Sequence, residues 1–95
     1  MIKWTVTAIE KMEQVLIVTT EKSGIDAADE ATIEIVKVAN TLDQPMNLSR
    51  PRKSRKGARE RLVDVGSKKN EFIIIFEDDG KGNIKILTVK HYLEK

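Results

Sequence analysis

The chain has 95 residues, 40% of them apolar and 34% charged, with a formal net charge of +2 at neutral pH. That length suffices for one domain, residues 1–95, around one core, and no apolar run approaches the ~18 residues needed to cross a bilayer. Cysteine is absent and His91 is the only histidine, which excludes disulfides, thiol nucleophiles and zinc sets, so neither a metal site nor a cofactor is expected. The start, MIKWTVTAIEK, lacks the basic, apolar and small-residue regions of a signal peptide, and the expected location is the cytoplasm.

Ile2, Trp4 and Val6 alternate with Lys3 and Thr5, the period of a half-buried strand. Thr7-Ala8-Ile9-Glu10 fits a capping box, so a helix is predicted to start there. Its buried stripe is read as Ile9, Met12, Leu16 and Thr19, with Val15 alongside, and Ser23-Gly24 stops it. Ile17 and Val18 widen the apolar face beyond one stripe, so this helix is covered on more than one side or leaves apolar surface for a partner, a second copy in a homodimer being one such partner. Asp26 is the predicted cap of a second helix carrying Ala28, Ala31, Ile35, Val38 and Leu42 on one face. The short link makes the two helices an antiparallel hairpin, and Gln44-Pro45 ends the second.

Residues 46–58 read as loop. The segment from residue 46 to 69 holds nine Lys/Arg against two Asp/Glu, whereas residues 1–45 hold four against eight. A charge run of this kind is ordinarily solvated surface. Here it lies between a helix and a strand and is rich in arginine, whose planar fork matches phosphate or carboxylate, so an acidic partner is the alternative reading. Arg59 to Val65 reads as a strand with Arg59, Arg61, Val63 and Val65 on one face. After a turn over Gly66 to Asn70, Phe72 to Phe76 is an unbroken apolar run, expected at the centre of a sheet and buried on both faces. Asp78 to Asn83 is turn chemistry, and Ile84 to His91 pairs as a hairpin with the preceding strand.

The order is β-α-α-β-β-β, an α+β fold with a helical hairpin packed on one face of a small, mostly antiparallel sheet. The first strand is placed at the sheet edge beside the later meander. The uncovered face is where the basic loop, Arg59, Arg61 and Lys90-His91-Tyr92 are expected to converge. Trp4 and the methionines read as core or interface filling, and Gly80-Lys81-Gly82 as a turn rather than a phosphate loop.

Ser49-Arg50-Pro51-Arg52, Gly57-Ala58-Arg59-Glu60, the Phe72 to Glu77 strand and the closing Ile84 to His91 stand in an order that resembles the ParE/RelE superfamily of bacterial type II toxins. The resemblance implies a growth-inhibiting toxin held inactive by a cognate antitoxin in a hetero-oligomer. It also implies one of two targets: DNA gyrase, inhibited without chemistry by ParE-type members, or ribosome-bound mRNA, cut by RelE-type endoribonucleases. A nuclease would use Arg59 and Arg61 on the scissile phosphate and His91 or Tyr92 as acid or base, and the terminal His-Tyr pair resembles the YoeB branch. RelE-like enzymes carry an arginine early in the third strand, where this chain has Ile73, and the aliphatic strand is closer to ParE. The sequence departs from ParE in Arg61, between Glu60 and Leu62, and in lacking a closing H-G-R-R. The reading is therefore a ParE-like gyrase inhibitor that is not itself an enzyme. Its target-binding residues are Arg50, Arg52, Arg55, Arg59, Arg61, Lys90, His91 and Tyr92, with no membrane partner and the mRNA endoribonuclease as the alternative.

Overall fold

A computed structural model describes residues 1–44, 49–52 and 57–92. The elements are β1 (Ile2–Trp4), α1 (Val6–Ser23), α2 (Ile25–Ala39), β2 (Arg50–Pro51), β3 (Ala58–Val65), β4 (Lys68–Asp78) and β5 (Ile84–His91). The sheet has five strands in the order β1-β5-β4-β3-β2, antiparallel throughout except for the parallel pair of β1 with β5. This is the predicted helical hairpin on a mostly antiparallel sheet, enlarged by one two-residue strand, Arg50–Pro51, where the sequence reads as loop. Arg55 and Pro45 lie outside the described residues.

The apolar run of β4 is central, with β3 on one side and β5 on the other, and Phe72 to Phe76 are all buried. Its alternate residues feed two clusters. Phe72, Ile74 and Phe76 join Val63, Ile86 and Val89 beneath the helices, with Ala8, Val15, Ala31, Ile35 and Leu42 packed from above. Ile73 and Ile75 join Ala58 on the opposite face, where Leu62, Leu87 and Tyr92 pack against them. Burying a side chain of isoleucine size contributes about 1.5–3 kcal/mol, so the five-residue core of β4 anchors both layers.

The start of α1 differs from the capping box in the sequence. Thr5, not Thr7, is the N-cap: its hydroxyl oxygen accepts from the Ala8 amide at 3.1 Å and the hydroxyl donates to the Ile86 carbonyl at 2.7 Å. Val6 consequently leaves the strand and enters the helix. The buried stripe of α1 runs through Ala8 and Val15, with Met12 packed alongside, while Ile9 and Leu16 face outward. Gly24 alone links the helices, with φ +89° and ψ 169°, a conformation that L side chains rarely adopt. It serves as N-cap of α2 in place of the predicted Asp26, which sits in the first turn. Ala28, Ala31 and Ala39 are buried, as close helix packing requires, and α2 ends at Ala39, before Gln44. In the β3–β4 hairpin the predicted turn over Gly66 to Asn70 is shorter, because β4 already begins at Lys68.

Candidate functional site

The face of the sheet away from the helices carries a cluster built on β3. Glu60 stands opposite Arg50 in the β2–β3 register. Arg50 donates to Glu60 Oε2 from Nε at 3.0 Å and Nη2 at 2.9 Å, and Arg52 approaches Oε1 at 3.5 Å. Glu60 therefore holds two guanidinium groups over the apolar patch of Ile73, Ile75 and Leu62. The carboxylate is largely sequestered, at 12% side-chain exposure, while Arg50 remains 59% exposed. One carboxylate between two arginines leaves net positive charge at this edge, with Arg50 presented to solvent. Arg52, Ile75, Leu87, Lys85 and Thr88 line a shallow depression on the same face. Lys90 lies opposite Ile73 and so shares this face, and Tyr92 packs into its apolar cluster.

Arg59 and Arg61 do not join this surface. They alternate with Val63, which is fully buried in the helix-side core, and they pair with Phe76 and Ile74 of that same core. Both arginines thus point to the helix side of the sheet, which corrects the expected convergence on the open face. Arg59 is engaged with Ser49, donating from Nε to the hydroxyl at 2.8 Å and from Nη2 to the carbonyl at 3.0 Å. It ties β3 to the residue that precedes β2. Arg61 Nη1 donates to the Leu62 carbonyl, and its Nε is buried with no hydrogen-bond partner among the described residues.

His91 is also on the helix side. It pairs with Phe72, contacts that ring edge-on at a centroid distance of 5.4 Å, and its Nε2 lies 2.9 Å from Glu71 Oε1. His91 and Tyr92 are therefore directed to opposite faces. In the sheet the His91 row passes through Phe72 to Val63, two strands away, and Arg61 is two residues further along β3. With strands about 4.8 Å apart, the His91 and Arg61 backbones are separated by roughly 10 Å or more, with core side chains between. The eight predicted target-binding residues thus divide: Arg50, Arg52, Lys90 and Tyr92 share the open face, Arg59, Arg61 and His91 lie under the helix layer, and Arg55 is outside the described residues. Glu60 was the organising residue that composition hid, although a single carboxylate inside an arginine run is a signal for an ion-pair clamp.

A solved structure titled "Chromosomal ParDE TA system from P. aeruginosa" contains a chain that aligns with a TM-score of 0.76 at 24% identity, covering 95% of this chain and 92% of that one. The fold is ParE-like. No family model and no curated protein sequence matches the chain. The ParE-like fold accounts for the arrangement just described, in which the helical hairpin covers one sheet face and leaves the other to the Arg50-Arg52-Glu60 clamp. Among the described residues no helix is long and apolar enough to cross a membrane, and no cluster of His, Asp and Glu forms a metal set.

Proposed function

We propose that this protein is the toxin of a type II toxin–antitoxin pair, a ParE-like inhibitor of DNA gyrase that acts in the cytoplasm and is neutralised by a cognate antitoxin. The toxin reading is supported by the near-full-length likeness to a chain of a ParDE system together with the ordered motifs of the sequence. The observation that favours a binding inhibitor over a nuclease is the division of the four candidate catalytic side chains. A phosphodiester cleavage site needs its cations and its acid or base around one phosphate. Here Arg59 is bound to Ser49, His91 to Glu71, and Tyr92 lies on the other face of the sheet. The open face instead offers a fixed, cationic and partly apolar surface, suited to an acidic protein target.

Expression without antitoxin should arrest growth and induce the SOS response, and purified protein should inhibit gyrase supercoiling. Messenger RNA should remain intact. Cleavage in the ribosomal A site, abolished by Tyr92→Phe, would overturn the gyrase reading in favour of the endoribonuclease.

A further inference from the structure

The two sides of the molecule carry opposite charge, and each mixes its charge with exposed or part-exposed apolar side chains. On the helical layer, Ile9, Glu13 and Ile17 follow one another at four-residue spacing along α1, and Ile25, Asp29 and Ile33 do the same along α2. Side chains four apart lie one above the other on a helix, so each helix bears a ridge in which a carboxylate stands between two isoleucines. All six residues are exposed, because Ala8 and Val15 of α1 and Ala28, Ala31 and Ile35 of α2 take the sides turned to the sheet. Lys37, the cation of α2, lies 3.5 Å from Glu34. The open face of the sheet has the reverse character. Ile2 and Trp4 pack toward the helices, so Lys3 between them projects from the open face, beside Lys85 in the β1–β5 register. Arg50 stands at the other end of this face, and Leu62 and Leu87 are only partly buried between them. Its carboxylates, Glu60 and Glu77, are partly buried opposite Arg50 and Lys85, and with Arg52, Lys3 and Lys90 also present the cations are in excess.

We propose that copies of this chain associate head to tail, the isoleucine and carboxylate ridges of one copy seated on the cationic open face of the next. Glu13 and Asp29 would face Arg50 and Lys85 of the neighbouring copy, and the isoleucines would cover Leu62 and Leu87. Charge selects this arrangement over a twofold one. Helical layer against helical layer sets Glu13 and Asp29 against themselves, and sheet against sheet does the same to Arg50 and Lys85; both oppose pairing, whereas the unlike faces attract. The two faces lie on opposite sides of one molecule, so the contact is heterologous and propagates instead of closing as a pair. Association depends only on these surfaces. Its consequence rests on the gyrase reading: a joined copy has its Arg50-Arg52-Glu60 clamp covered and cannot present it to a target.

The test is sedimentation of the full chain over a range of concentrations. At low salt the average mass should climb from the monomer value of 10.8 kDa past that of a pair, and salt near ~1 M, where the screening length falls to about 3 Å, should return it to the monomer. Two variants then separate the faces. Glu13→Lys with Asp29→Lys alters only the helical ridges, and Arg50→Ala with Lys85→Ala alters only the sheet; each alone should associate about tenfold more weakly or not at all. Mixed in equal amounts they should associate again and stop at twice the chain mass, since one intact helical layer and one intact sheet face remain. Unchanged thermal unfolding excludes a folding defect, and amide shifts of the labelled parent on dilution, expected on both the ridges and the Lys85 to Thr88 stretch, need no variant. A parent that stays monomeric at every concentration would overturn the proposal. So would a sheet or helix variant that pairs as well as the parent, which indicates a twofold contact, or a mixture that fails to recover.

Discussion

Two aspartates show how single residues fix the hairpins that frame the sheet. Asp79 accepts from Asn83 Nδ2 at 2.8 Å and from the Lys81 amide at 2.7 Å, and these bonds hold its carboxyl below the ordinary value of 3.8. Asp64 is lowered in the same direction, chiefly by the Asn70 amide at 2.8 Å, which it receives at the shifted register of the β3–β4 hairpin. Asn70 itself has a positive φ of 54°, a conformation asparagine tolerates better than branched residues. A carboxyl whose folded pKa is depressed stabilises the fold above its unfolded pKa and loses that contribution as pH falls through the folded value. Carboxyl NMR titration should therefore give midpoints below 3.8 for both groups. Asp79→Asn should lower the melting temperature near neutrality, and the difference from the parent should shrink as pH drops below that range. A gap that persists at strongly acid pH would show that the charge is not what the turn uses.

At the scale of elements, Thr5 is the joint between three of them. Its amide donates to the Ile86 carbonyl at 3.1 Å, its carbonyl receives the Ile9 amide at 3.0 Å, and its hydroxyl caps α1 while bonding β5. Thr5→Ala removes the cap and leaves part-buried groups unmatched, which should cost about 1–2 kcal/mol, with Thr5→Ser recovering most of it. For a domain of this size that corresponds to a fall of roughly 4–16 °C in melting temperature, measured by circular dichroism. This joint was not legible in the sequence, because Thr7-Ala8-Ile9-Glu10 is the better local capping pattern and the deciding partner, Ile86, is far along the chain. The elements dominated by local signals were legible: the alternation of Ile84 to His91 gives β5, and the run Phe72 to Phe76 gives the centre of β4. Small residues misled the assignment of the α1 stripe. Ala8 is fully buried where Ile9 was expected, since close approach of the helix to the sheet favours the smaller side chain. The site was half legible for a related reason. Alternation correctly grouped Arg59 and Arg61 with Val63 and Val65, but those valines mark the core side of β3, so the arginines lie under the helices.

Across the whole molecule, the sheet separates two kinds of surface. One face presents the Arg50-Arg52-Glu60 clamp, and the helical layer presents exposed apolar side chains, among them Ile17 and Ile33, each 57% exposed. If the toxin reading holds, target and antitoxin can be assigned to different surfaces, and substitutions should separate the two activities. Arg50→Glu with Arg52→Glu replaces the clamp by three carboxylates and should relieve growth arrest while preserving capture by antitoxin. Loss of one charge-assisted contact of about 1.5–3 kcal/mol corresponds to a drop in target affinity of about 10–100-fold, measurable as gyrase inhibition by the purified variant. Ile17→Asp or Ile33→Asp lies on an exposed helix surface and should change stability by no more than about 0.5 kcal/mol. These variants should still arrest growth but escape rescue when antitoxin is co-expressed, because burying the new carboxylate at a protein interface is unfavourable. The opposite pattern, in which clamp variants lose antitoxin and helix variants lose toxicity, would exchange the two surfaces. Rescue that survives both isoleucine substitutions would place the antitoxin contact elsewhere on the molecule.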